Sequence, residues 1–291
     1  MTLLTQILVV GVILGAVYAL AGAGLVVLYR TTGMINFAHG DVATAALFVA
    51  LALIHVGVPF PVAAVATVVV SSLLDVMIGL LLTSRFFRDR GVADLVIATI
   101  AASLIFQGIE SMTLGQTARP FPSLGAATLF RLASVAITVS DMVTLAMCLA
   151  AFTGLMLFFR YSSWGIAMRA ISEDADTARL LGVPGMRLRL ASWASSGALA
   201  GLAGLAIAPI YSLQPTSIDV LVIYGFAVIV AGGFESLAGA LVFGVAVGVL
   251  QNLVQAYVST SLVLFSLYLF MLVVLAFRPQ GLFGRRLMER V

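Results

Sequence analysis

The chain has no lysine and a single cysteine in 291 residues. Cys148 lies in an apolar run, so neither an intrachain disulfide nor a cysteine-based metal site is open to it, and it does not report a redox compartment. With only two histidines, His39 and His55, a His-based metal enzyme is a poor fit. No Ser/His/Asp constellation, zinc-ligand spacing or phosphate-cradling loop is present, so no catalysis and no cofactor are expected. The largest deficit is charge: 9% of residues are charged, against roughly 25% in soluble domains. A net charge of +3 does not suggest nucleic acid as a partner.

What fills the gap is apolar, 62% of the chain. Apolar runs recur at lengths suited to membrane spans, which need about 20 residues each. Candidate spans are 3–28, 38–56, 61–83, 94–114, 141–159, 190–211, 220–233, 237–257 and 262–277. The first lacks the basic flank of a signal peptide, and Leu3 to Leu28 is too long for a cleaved apolar region. The seventh is too short to cross alone, and Gly232-Gly233 ends it. The expected fold is all-α: a polytopic transmembrane bundle of about eight or nine spans with discontinuous helices. Glycines 197, 201 and 204, and more loosely 239, 244 and 248, recur at helical spacing, as close helix packing in lipid favours.

Orientation follows from arginine. Arg85, Arg88 and Arg90 share one short loop; Arg160, Arg169, Arg179, Arg187 and Arg189 share a longer one; Arg278, Arg285, Arg286 and Arg290 lie in the tail. The positive-inside rule places all three in the cytoplasm. Nine crossings then put the N-terminus outside and the C-terminus inside; eight fit if 220–257 is re-entrant or another segment does not cross. The 115–140 segment falls outside.

Three interruptions are candidates for function. Thr31 to Asp41 separates two apolar runs and packs Asn36, His39 and Asp41 near membrane depth. Irregular backbone there is tolerated only inside protein or along a watery cavity, and intramembrane ionisable groups are costly to hold. The alternative is a cytoplasmic turn with His39 capping a helix. Gly232-Gly233-Phe234-Glu235-Ser236 breaks a second helix, with Glu235 either functional or a solvated residue before a helix start. A weak echo links Asn36-Phe37-Ala38 to Ser236-Leu237-Ala238, as in transporters built from repeats with broken helices. Third, Trp164 to Leu181 reads as one helix stopped by Gly182 and Pro184, and it mixes Arg169, Glu173, Asp174, Asp176 and Arg179 with Leu180 and Leu181. Such a helix suits a partner's groove or the headgroups; its three acids disfavour an anionic lipid surface. Of the scattered polar residues, Asp75 stands out, about 15 Å into the bilayer on helical rise. Gln107 and Glu110 share a helix face, and Asp141 is placed as a cap.

The stretch from Gly33 to Asp41, GMINFAHGD, resembles the start of permease subunits of branched-chain amino-acid ABC importers, the LivH/LivM family. RAISEDADTARLLGVP (169–184), VAGGFESLAGA (230–240) and FRPQGLFGR (277–285) follow in the family's order. The resemblance covers nearly the whole chain and implies one transmembrane permease domain over 1–291 with a cytoplasmic coupling loop at 160–190. It implies a bacterial inner-membrane location, a second LivM-like permease, two cytoplasmic ABC ATPases and an external solute-binding protein. By this resemblance Arg169, Glu173, Asp174, Ala175, Arg179, Leu180, Leu181 and Gly182 form the coupling element. The broken segments, with Asn36, Phe37, His39, Gly40, Asp41, Tyr224, Gly232, Gly233 and Glu235, line or gate the pathway. The sequence departs from the family at Leu80 and Leu81, where a Glu-Arg pair is common, at Tyr224 for a common Lys, at Phe234-Glu235 for x-Gly in Gly-Gly-x-Gly-Ser, and at Ala238 for a usual Pro. These departures bear on the substrate: branched-chain amino acids are the family default, and losing a basic group at Tyr224 favours a less charged solute. The rival reading is a secondary transporter acting alone, with Asp41, Asp75 and Glu235 coupling an ion; a membrane-bound enzyme lacks its catalytic constellation.

Overall fold

A computed structural model describes residues 2–84, 87, 90–123, 125, 127–132 and 135–284. Arg85, Arg88, Arg285, Arg286 and Arg290, counted above toward orientation, lie outside them. Apolar runs with no water to hydrogen-bond must satisfy their backbone internally, and helices do so. In chain order the helices are α1 (Thr2–Thr32), α2 (His39–His55), α3 (Phe60–Leu82), α4 (Val92–Leu114), α5 (Val139–Tyr161), α6 (Ser163–Glu173), α7 (Ala175–Leu180), α8 (Gly185–Tyr211), α9 (Asp219–Gly232), α10 (Leu237–Tyr257) and α11 (Val263–Phe277). Among the described residues seven spans are long and apolar enough to cross a membrane, the last being α11 together with the 3-10 turn Thr260–Leu262 that leads into it; α2 and α9 are apolar but shorter. With 14 residues, α9 is about 21 Å long, short of a bilayer's roughly 30 Å hydrocarbon core.

The fold is built around α1, which packs against α8, α9 and α10 and also touches α5 and α6. Its seam with α10 is made of small residues. A Cβ on Gly15 would lie 2.6 Å from the Cα of Val245, and one on Gly244 2.6 Å from the Cα of Ala19. With lipid as apolar as the side chains, such backbone proximity supplies the packing. Gly197 and Gly201 of α8 do the same against Ser71 on α3, so the glycine spacing is spent on helix contacts. Because α3 and α8 run antiparallel, the ends bearing Arg30, Arg90, Arg160, Arg187 and Arg278 gather at one end of the bundle.

Two expectations are corrected. The fold is not wholly α: Thr128–Leu132 (β1) and Val135–Thr138 (β2) form an antiparallel hairpin at the end opposite those five arginines, with Arg131 in β1 itself. Its β-branched and aromatic residues suit paired strands, and Thr138 then caps α5 by accepting from the Asp141 backbone N–H. Nor is Trp164 to Leu181 one helix. Asp174, extended at φ −157°, separates α6 from α7. Its carboxylate accepts from the Thr177 N–H at 3.0 Å and the Thr177 hydroxyl at 2.7 Å, a local cap that competes with helix continuation.

Beyond the hairpin, Arg119 and Leu213 exchange backbone hydrogen bonds at 2.9 and 2.7 Å. This joins the loop around Arg119 to the segment 212–218. That segment ends with fully buried Ile218, so α9 starts well inside the bundle.

Candidate functional site

Gly33, at φ +70°, ends α1, and the chain then runs without helix to α2 through Met34–Ala38. The break is buried and hydrogen-bonded by side chains. Asn36, with no exposed surface, donates from Nδ2 to Asp75 Oδ1 at 2.7 Å and accepts from the Ala38 N–H at 3.0 Å. The Phe37 N–H donates to Thr99 Oγ1 at 3.2 Å. Neither Asn36 nor His39 caps α2, whose N-cap residue, Ala38, has no side-chain cap bond; Asn36 instead holds the turn that leads into the helix. His39 is fully buried. Its Nδ1 is 3.3 Å from Ser196 Oγ on α8, and its Nε2 has no hydrogen bond among the described residues. Gly24 makes room for the ring: a Cβ there would sit 2.8 Å from His39 Cε1.

One turn further, Gly40 lets the start of α2 touch the start of α9; its Cβ would lie 2.9 Å from the Ile218 carbonyl oxygen. This approach brings Asp41 and Asp219 together under Gln107 of α4. Gln107 Nε2 donates to Asp41 Oδ1 at 2.9 Å and to Asp219 Oδ2 at 3.2 Å. Glu110, 4% exposed, lies three residues along the same face, and neither of its carboxyl oxygens has a hydrogen bond among the described residues. Gln107 and Glu110 share the helix face that their spacing predicts, and Asp219 joins them although it is not among the residues expected from the sequence. The signal available was a carboxylate opening a span too short to cross.

Tyr224 is not part of this cluster. It faces α1, stacked on Tyr18 at 4.3 Å with rings 7° apart. Tyr18 in turn donates to Gln251 Oε1 at 2.7 Å. The faces of α9 divide the work: Asp219 and Phe226 point to the break, Tyr224 to the core.

Gly232, Gly233 and Glu235 stand at the arginine-bearing end. Gly233, at φ +102°, breaks the chain between α9 and α10, and a Cβ on it would lie 2.7 Å from the Gly284 N. The tail folds back here, Leu282 N–H to Ala231 O at 3.0 Å and Phe283 N–H to Gly232 O at 3.2 Å. Arg30, the last charged residue of α1, donates from Nε to the Glu235 carbonyl at 2.7 Å and also from Nη2, while its guanidinium lies 5.6 Å over the Phe159 ring. A cavity of about 180 Å³ is walled by Arg30, Arg169, Ser172, Glu173, Glu235, Ser236 and Phe283. Glu235 thus shares its surroundings with Arg169 and Glu173 of α6. Beyond them Leu180 and Leu181 are 88% and 79% exposed, and Gly182 turns the chain at φ +80°. The side chains of Ala175 and Arg179 lie outside those described.

Aromatic rings lie in a line between the two ends. Phe37 packs on Phe226 (5.9 Å between centroids), Phe226 on Phe234 (6.4 Å), and Phe234 on Tyr29 (5.1 Å). A line of aromatic contacts therefore runs from the interior break to the Gly-Gly turn. Among the described residues no group of three or more His, Cys, Asp or Glu is arranged to hold a metal ion.

Residues 7–277 match the family model described as branched-chain amino acid transport system / permease component. The chain is 32% identical over 301 residues to the high-affinity branched-chain amino acid transport system permease protein LivH of Escherichia coli K12, covering 97% of this chain and 96% of that protein. It is 31% identical over 251 residues to the probable branched-chain amino acid transport permease protein LivH of Methanocaldococcus jannaschii, covering 83% and 78%. The permease protein BraD of Pseudomonas aeruginosa is 28% identical over 98% of this chain and 97% of its own. These matches span the break, the Gly-Gly turn and the coupling segment alike. The chain is a multi-pass membrane protein and belongs to the family of permease components of branched-chain amino acid transport systems.

Proposed function

We propose that this chain is the membrane-spanning permease subunit of an ATP-driven ABC importer in the bacterial inner membrane, carrying branched-chain amino acids or a related small solute. The observation that carries the reading is the linkage of two sites. A buried polar break, Asn36 to Asp41, is joined by the Phe37–Phe226–Phe234 line to the turn at Gly233, which shares a cavity wall with α6. The break is where a solute meets polar side chains inside the bundle. The other end ends in exposed Leu180 and Leu181, apolar side chains suited to a groove on a partner.

In this reading the arginine-bearing end is cytoplasmic and the hairpin end external, with nine crossings if α2 and α9 span jointly with their neighbours. The partners are a second LivM-like permease completing the pathway, two cytoplasmic ATPases engaging α6, α7 and Gly182, and an external solute-binding protein. Asn36, Phe37, His39, Gly40 and Asp41 line the pathway. Gly232 and Gly233 form the hinge beside it, and Tyr224 supports α9 from behind. Glu235, in the cavity wall with Arg169 and Glu173, belongs to coupling more than to lining.

The test is uptake of labelled leucine into vesicles holding this chain with its partner subunits and leucine-loaded binding protein. ATP-dependent uptake that disappears when either the ATPases or the binding protein is omitted supports the reading. Uptake by this chain alone, driven by an ion gradient without ATP, would establish the secondary-transporter alternative, for which the buried carboxylates supply the only structural argument.

A further inference from the structure

Three carboxyl groups meet inside the bundle with too few donors to satisfy them. Asp41 opens α2, Asp219 opens α9, and Glu110 comes from α4. Asp41 and Glu110 are 1% and 4% exposed. One side-chain amide, that of Gln107, bridges the two aspartates. Glu110 interacts electrostatically with both of them, yet its two carboxyl oxygens and Asp219 Oδ1 have no hydrogen bond among the described residues. The three contributing helices contain no lysine or arginine.

Buried polar atoms are paired in folded proteins, and an unpaired one calls for an explanation. Asp41 also accepts from the Ser103 hydroxyl and shares a hydrogen bond with the Asp219 carboxyl, so what stays unfilled is of one kind: the two Glu110 oxygens and Asp219 Oδ1, with no positive charge on the three helices. A primary ammonium carries three donors and one positive charge, and matches that deficit in both count and sign. A carboxylate does not, and a divalent metal is not favoured by the arrangement of the acids.

We infer that Asp41, Glu110 and Asp219, arranged by Gln107, form the contact of this chain with the ammonium end of the solute it carries. The inference rests on the pathway reading above and narrows its substrate class to primary amines and amino acids recognised from their nitrogen side. Without lysine or arginine on α2, α4 or α9, these helices give a solute's carboxylate no counter-charge, so that end is read elsewhere in the assembly. The apolar wall nearest the start of α2 is the Phe37–Phe226 pair, which suits an aliphatic side chain. Gly40 is what makes the site possible, since any side chain there would separate Asp41 from Asp219.

The test uses the purified complex of this chain with its permease and ATPase partners, without binding protein, and three probes of one carbon skeleton type: leucine, isoamylamine, which lacks the carboxylate, and isocaproate, which lacks the amine. Binding is followed by saturation-transfer NMR. Leucine and isoamylamine are expected to bind and isocaproate not to. Glu110→Gln and Asp219→Asn, each checked for an unchanged thermal midpoint, are expected to weaken both amines about tenfold or more, as loss of a charge-assisted hydrogen bond implies. Isocaproate binding as well as leucine, neither amine binding, or both variants binding amines like the wild type would each overturn the inference. The last result would mean that the carboxyls act as a neutral, self-contained network. ATP-driven leucine uptake by the wild-type complex alongside any of these results leaves the permease reading standing and removes only the ammonium site; absence of that uptake strikes the permease reading itself.

Discussion

The interior break and the arginine-bearing end solve the same problem, an interrupted helix, with opposite chemistry. At the break, side chains bond to side chains across helices: Asn36 to Asp75, Gln107 to Asp41 and Asp219. At the other end, backbone carbonyls left open by the Gly-Gly turn are closed by Arg30 and by the returning tail. The first arrangement leaves acceptors unfilled in a water-poor space; the second leaves leucines exposed at the surface. An interior site short of donors is suited to a passing solute, and a closed turn with an exposed apolar tip is suited to a standing partner. Under the proposed function the difference gives the chain two jobs, and a line of aromatic ring contacts lies between the two regions.

Substitutions separate the two regions by the size and reach of their effects. Asn36→Ala removes one of the two side-chain donors to fully buried Asp75, leaving Ser196; it should lower global stability by about 3 kcal/mol, the upper range for a hydrogen bond lost to a buried carboxyl, read as a fall in thermal midpoint in detergent. A midpoint like the wild type would mean that Asp75 finds another partner, and the interior network would lose its claim to be specific. Gly233→Ala forces a side chain at φ +102° and against the Gly284 N. It should cost about 2–3 kcal/mol, with fast amide exchange concentrated at 278–284, where the tail loses its seat. Arg30→Ala removes the bonds to the Glu235 carbonyl and the contact over Phe159, about 2 kcal/mol. Arg30→Lys should recover only part of it, because an ammonium cannot reproduce the guanidinium fork. The smallest effect is expected at Asp174→Ala, which loses the cap of α7, about 1 kcal/mol. It should be local, seen as faster exchange across 175–181 with an unchanged thermal midpoint.

Much of this architecture was legible in the sequence, because burial in lipid is written as long apolar runs. Each of the nine proposed spans coincides with a helix, and the short seventh was marked by its length and by Gly232-Gly233. What was not legible depended on contacts between distant segments. Asp219 carries only a weak local signal, a carboxylate at the start of a short span; it joins Asp41 because Gly40 lets two helix starts touch. Tyr224 is singled out by the resemblance, as the counterpart of a common Lys, and its stacking on Tyr18 is a contact between distant segments that the sequence does not display. Glu235 changed neighbourhood for the same kind of reason: α10 brings it to Arg30 and Arg169 rather than to Asp41. Within the coupling segment, composition suggested one helix, whereas the Asp174–Thr177 cap, a three-residue pattern, divides it. The hairpin was hidden in a segment read only as external loop.

The central claim is that the break serves the solute and the exposed leucines serve the ATPases. It is tested most directly by measuring uptake and binding-protein-stimulated ATP hydrolysis side by side in two reconstituted complexes, one with Asn36→Ala and His39→Ala, the other with Leu180→Ser and Leu181→Ser. The account predicts that the first pair hydrolyses ATP with uptake lost, and that the second loses both together. Normal uptake by the first pair, or normal hydrolysis and uptake by the second, would contradict it.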